Sequence, residues 1–147
     1  VGGKENIGTT FKKYISMKKV KSILIVEDDP ISAMIVTKLL EKNGIMTSNK
    51  TVLNGKLGID HIKECLSKSL PLPELILLDI NMPVMDGWEF LEIISHIDEA
   101  KCIPVVMLTS SIDLQDIQKS TQYDNIISYF SKPIDSERLI KLFNNLM

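Results

Sequence analysis

Three short apolar runs, each closed by a charged or polar group, constrain this chain more than any other feature. Ser22-Ile23-Leu24-Ile25-Val26 leads into Glu27-Asp28-Asp29, Leu75-Ile76-Leu77-Leu78 into Asp79, and Ile126-Ile127-Ser128-Tyr129-Phe130 towards Lys132-Pro133. Runs of this length with apolar residues at both parities read as strands buried on both faces. The first polar residue after each then stands at the carboxyl edge of a sheet, where open α/β folds bind ligands. Carboxylates gathered at one edge repel one another unless a cation joins them, and a neighbouring lysine suits a phosphoryl group. The pattern points to phosphate and magnesium chemistry.

Between the runs the period changes from strand to helix. Ile31, Met34, Ile35 and Leu39 stand at offsets 0, 3, 4 and 8, one apolar face of a helix entered through Asp29-Pro30 and ended at Gly44. Asp29, preceding the proline, reads as the N-cap of that helix rather than a metal ligand. A weaker strand is expected over 45–52, then a helix after Asn54 carrying Ile59, Ile62, Cys65 and Leu66, and a break at Leu70-Pro71-Leu72-Pro73. Beyond the loop from Asp79 to Gly87, the residues Gly87, Phe90, Leu91 and Ile94 repeat the helical period, and Ile103 to Leu108 forms a fourth strand. A helix around 113–122 has the poorest apolar pattern. The last helix, capped by Asp135, presents Leu139, Leu142, Phe143 and Leu146. Five strands alternating with five helices predict an α/β fold, a doubly wound parallel sheet covered on both faces. With right-handed crossovers, the flavodoxin-like order 2-1-3-4-5 makes strands one and three neighbours, so Asp28 and Asp79 meet at the switch point.

Bulk properties narrow the function. The 147 residues suit one domain, and 44% hydrophobic with 24% charged residues excludes a disordered chain. A formal charge of −2 argues against a duplex-binding surface, so no direct nucleic-acid partner is expected. No apolar stretch approaches the roughly 20 residues of a membrane span, so no membrane insertion is expected, and with no signal-peptide core the chain reads as cytoplasmic. Cys65 and Cys102 lack metal or redox spacing and read as packing residues. Residues 1–17 are polar and rich in glycine, threonine and lysine; they read as a leader or tail, disordered or foreign to the native chain, ahead of a domain over 18–147.

The segments Ile23 to Pro30, Leu77 to Gly87, Leu108-Thr109-Ser110 and Lys132-Pro133, in this order and each at a strand end, resemble the receiver domains of two-component response regulators. The resemblance implies that Asp79 accepts a phosphoryl group from a phosphohistidine on a sensor histidine kinase or phosphotransfer protein. It implies Mg2+ held by Asp28, by Asp79 and by the backbone carbonyl of Asn81, with Glu27 acting through water. Lys132 and Thr109 then contact the phosphoryl oxygens, Pro133 follows a cis peptide bond, and Tyr129 is the switch aromatic. Trp88 reads as a packing residue with no separate chemistry. Where relatives carry a glycine with positive φ, seven residues before the lysine, this chain has Asn125.

On this reading the chain is a stand-alone phosphoacceptor regulator that switches a protein-binding face, and not a turnover enzyme. The downstream target is not named by the sequence. An alternative is a receiver fragment of a larger hybrid kinase. A rival from another class is an aspartyl-phosphate phosphohydrolase, which would need a second aspartate two residues after its nucleophile on the first strand; Asp28 is followed by Asp29-Pro30-Ile31. A nucleotide-binding enzyme would need a glycine-rich loop after that strand, and none is present.

Overall fold

A computed structural model describes residues 22–45, 48–110 and 113–145. The elements alternate as β1 (Ile23–Val26), α1 (Pro30–Lys42), β2 (Asn49–Val52), α2 (Gly55–Ser67), β3 (Leu75–Asp79), α3 (Gly87–Ser95), β4 (Val105–Thr109), α4 (Leu114–Ser120), β5 (Ile126–Ser131) and α5 (Ser136–Asn145). All strand pairs are parallel, in the order β2-β1-β3-β4-β5, as the apolar runs require. Residues 1–17 and Leu146, for which expectations were stated, lie outside the described residues.

Strand parity divides the core in two. Leu24, Val26, Ile76, Leu78, Val105 and Met107 pack with Ile59 and Ile62 of α2 and Phe90, Leu91 and Ile94 of α3. Ile23, Ile25, Leu75, Leu77, Val106 and Leu108 face the other way, onto Ala33, Val36 and Leu40 of α1 and Leu139, Leu142 and Phe143 of α5. Successive strand side chains point to opposite faces, so a run apolar at every position fills both layers at once. The register carries the site. Val26 pairs with Leu78, so the next step brings Glu27 level with Asp79.

A bulge between β4 and β5 has a directional consequence. Val105 pairs with Ile126 but Val106 pairs with Ser128, so Ile127 is the extra residue. Every later position of β5 changes face relative to an unbroken register. Tyr129 therefore pairs with Met107 and packs on the α2–α3 side, while Phe130 pairs with Leu108 and packs on the α1–α5 side.

Several boundaries and faces differ from the sequence reading. α1 docks through Ala33, Val36 and Leu40, whereas Ile31, Met34 and Ile35, read as its apolar face, are 64%, 50% and 47% exposed. Small Ala33 and Val36 face the sheet, and the bulkier set is left to solvent. β2 is shorter than expected and polar, as befits an edge strand. Asn125 does not take a positive φ; its amide donates to the Ile103 carbonyl at 3.0 Å, and its own carbonyl accepts from the Val105 amide at 2.8 Å. Cys65 is buried as expected, but Cys102 is exposed. The rotated face of α1 is testable in chemical denaturation: Leu40→Ala should cost about 2–5 kcal/mol, as for a cavity in a closed core, and Met34→Ala should stay within about 0.5 kcal/mol. Equal losses would restore the face read from the sequence.

Candidate functional site

The carboxyl edge gathers the residues that the sequence left scattered. Glu27 follows β1, Asp79 ends β3 and Thr109 ends β4, and they are 1%, 3% and 0% exposed. Asp28 is half-buried beside them, and carboxylate oxygens of Glu27, Asp28 and Asp79 lie within 4.8 Å of one another. Lys132 reaches in from beyond β5: its ammonium pairs with Glu27 Oε1 and stands 3.4 Å from Asp79 Oδ2. Its backbone amide donates to the Thr109 carbonyl at 2.7 Å, so lysine and threonine are fixed relative to each other. The Lys132-Pro133 peptide is cis.

Local structure holds Asp79 in place from both sides. The Asn81 amide donates to Asp79 Oδ1 at 3.3 Å, and the Gly87 amide donates to the Ile80 carbonyl at 2.8 Å. A Cβ on Gly87 would lie 2.7 Å from the Asp79 carbonyl oxygen and 3.0 Å from the Ile80 Cα. Only glycine allows the start of α3 to sit this close. That role was not legible in the sequence, where Gly87 read only as part of an apolar helical face. Asp86 caps the same helix with a reciprocal Glu89 bond, which explains the abrupt turn out of the loop. Asp29 is occupied elsewhere, accepting from the Ile31 amide and the Ser32 hydroxyl, each at 3.0 Å, as the N-cap of α1.

The electrostatics are those of a crowded anionic site. Burial, together with hydrogen bonding and repulsion from Glu27, pushes the Asp79 carboxyl up to about 8, against the opposing pull of Lys132. For Lys132, burial acts downward, but its pairs with Glu27 and Asp79 outweigh it and the ammonium is held above its ordinary range. Glu27 Oε2 is buried without a hydrogen-bond partner among the described residues. One lysine cannot balance three carboxylates, and an orphaned buried carboxylate oxygen is a free ligand position. The donor set, all oxygen, fits a hard divalent cation such as magnesium.

At the far end of the site, Tyr129 turns its hydroxyl into the protein. The hydroxyl is buried with no partner at bonding geometry among the described residues, an arrangement that costs about 1–3 kcal/mol. Trp88, read from sequence as simple packing, is more than that: its indole N–H donates to Asp116 Oδ1 of α4 at 3.2 Å. The pairing of a helix-start tryptophan with an aspartate 28 positions later had no sequence signal.

The raised Asp79 pKa has a definite sign in stability. An unfolded aspartate titrates near pH 4, whereas the folded group holds its proton to about 8, so stability falls as pH rises through that window. With a chelator present, wild type should lose melting temperature relative to Asp79→Asn between about pH 5 and about pH 9, and the gap should widen as pH rises. Parallel pH profiles would mean that Asp79 is not under this strain.

This edge also has relatives. A family model for the response regulator receiver domain matches residues 23–144. Protein PilH of Pseudomonas aeruginosa is 29% identical over 125 residues, 85% of this chain and 96% of that protein. A two-component response regulator from Cytophaga hutchinsonii matches with a TM-score of 0.79 at 29% identity, covering 88% of this chain and 98% of that one. The Mn(2+)-bound form of response regulator Rcp1 matches with a TM-score of 0.68 at 30% identity, covering 86% and 91%. With the sheet order, the acidic edge and a family match over nearly the whole described chain in agreement, the chain belongs to the response regulator receiver domains of two-component signalling.

Proposed function

We propose that Asp79 is the phosphoacceptor of this receiver domain, which we assign to residues 18–147 behind a leader over 1–17. The observation that carries the reading is one buried carboxylate, at the carboxyl edge between β1 and β4, flanked by two acids and 3.4 Å from a lysine ammonium. Asp28, Asp79 and the Asn81 carbonyl would hold Mg2+, with Glu27 acting through water. When bound, the ion neutralises charge on the phosphoryl oxygens and on Asp79.

An Asp79 oxygen attacks phosphorus in line. The P–N bond to a phosphohistidine of a histidine kinase or phosphotransfer protein breaks, its electrons stay with the departing imidazole, and an acyl phosphate forms. Lys132 supplies positive charge to the transferring oxygens and the Thr109 hydroxyl donates to one of them, so positioning and charge do the work without a general base. Thr109 moving towards the phosphoryl group opens space on the side where Tyr129 packs, and Tyr129 moves with it. Such a switch needs only a few kcal/mol of difference between two existing states.

Two exposed apolar sets support protein partners. Ile31, Leu53, Leu57 and Val84 all follow carboxyl ends of strands, so they ring the edge on which Asp79 stands. Leu114 and Ile117 of α4, Ile127 of β5 and Ile140 of α5 form the exposed output side. The first set suits the phosphodonor and the second the downstream target. Among the described residues no helix is long and apolar enough to cross a membrane, and a cytoplasmic regulator without direct nucleic-acid contact fits this reading.

The test uses the chain with Mg2+ and a small acyl or amido phosphate donor, read by intact mass and peptide mapping. Wild type should gain one phosphoryl group on Asp79, Asp79→Asn none, and Lys132→Ala should react roughly 100-fold more slowly. Undiminished labelling of the Asp79→Asn protein would overturn the assignment.

A further inference from the structure

Arg138 is the only arginine in the chain, whose other basic side chains are lysines, and it stands in the first turn of α5. A cation at that end opposes the helix dipole, which favours acids such as the neighbouring Glu137. The Arg138 backbone amide already serves the cap, donating to Asp135 Oδ1 at 2.8 Å. A side chain that breaks a local rule calls for a compensating contact elsewhere.

That contact lies at the end of β5. Arg138 Nη1 donates to the Ser131 carbonyl at 2.9 Å and to the Pro133 carbonyl at 3.3 Å, the carbonyls on either side of Lys132. The guanidinium also lies over the Phe130 ring, 5.2 Å from its centroid. A planar guanidinium can stack on a ring and donate hydrogen bonds at once, a combination that a lysine ammonium does not match.

One peptide unit is therefore gripped at both ends. Between Ser131 and Lys132, the carbonyl accepts from α5 and the amide donates to the Thr109 carbonyl of β4 at 2.7 Å. With that plane fixed, the Lys132 Cα is fixed too. The side chain then starts from a set origin on its way to Glu27 and Asp79.

We infer that Arg138 is a positioning residue for phosphotransfer: by bonding the carbonyls that flank Lys132, it sets where the lysine ammonium meets the transferring phosphoryl oxygens. The inference rests on the reading of Lys132 as the group that contacts those oxygens. Because Arg138 acts through Lys132, removing it can cost no more than removing the lysine. A misplacement of about 1 Å is enough to slow such a reaction markedly.

The test follows Asp79 phosphorylation of the full chain over time by intact mass, with Mg2+ and a small acyl or amido phosphate donor. Arg138→Met keeps an apolar stem over Phe130 and removes both donors. It should react roughly 10-fold more slowly than wild type, against roughly 100-fold for Lys132→Ala. Arg138→Lys restores donors without the planar fork and should recover part of the loss. Added to Lys132→Ala, Arg138→Met should slow the reaction no further, while lowering the melting temperature by the same amount in both backgrounds. A merely structural arginine would slow both backgrounds alike; that result, or a wild-type rate in Arg138→Met beside a slow Lys132→Ala, would overturn the positioning role alone. A wild-type rate in Lys132→Ala would instead overturn the reading of Lys132, and the inference with it.

Discussion

The repulsion among buried carboxylates at the β1–β3 edge is the constraint on which the rest depends. Glu27 and Asp79 are nearly fully buried, and Lys132 is the lysine that pairs with both. A protein core would ordinarily avoid this arrangement, because charges taken out of water recover their solvation only through well-placed partners. Here the imbalance favours whatever brings positive charge to the edge, and it makes the site responsive to ligands in a way that a satisfied network would not be. The apolar strands beneath supply the stability that lets such an edge persist.

Much of this was legible in the sequence because parallel strands covered on both faces leave a strong signature. Runs such as Leu75 to Leu78 have no polar parity, so they announce both the sheet and the position of Asp79. The juxtaposition of Asp28 with Asp79 follows from strand order alone, and the family match agrees with the resemblance carried by the loop motifs. Periodicity failed where two apolar faces share one helix. In α1 the spacing of Ile31, Met34 and Ile35 is as regular as that of Ala33, Val36 and Leu40, and hydropathy favours the bulkier set, but space against the sheet decides. The bulge at Ile127, the contact of Gly87 with the Asp79 carbonyl and the bond from Trp88 to Asp116 were invisible, since each depends on distances between elements.

The bulge and the glycine act on the same site from opposite directions. Gly87 brings α3 against the backbone of Asp79, so the start of that helix is referenced to the acidic edge. The bulge turns Tyr129 towards the layer containing α3, so the end of β5 is referenced to the same helix. Asp79 and Tyr129 thus share α3 as a neighbour, the first through Gly87 and the second through the core layer that α3 fills.

The bareness of α4 has a consequence for how such a chain can diverge. A helix that contributes nothing to the core places almost no stability cost on changes to its outward residues, since surface substitutions usually move stability by less than about 0.5 kcal/mol. Leu114, Gln115, Ile117 and Gln118 can be rewritten to suit a new partner while the sheet, the acidic edge and the chemistry stay as they are. Recognition and phosphotransfer are therefore separable inheritances in this fold: descendants of one duplicated ancestor could acquire different targets by altering a single exposed turn and keep a common reaction beneath it.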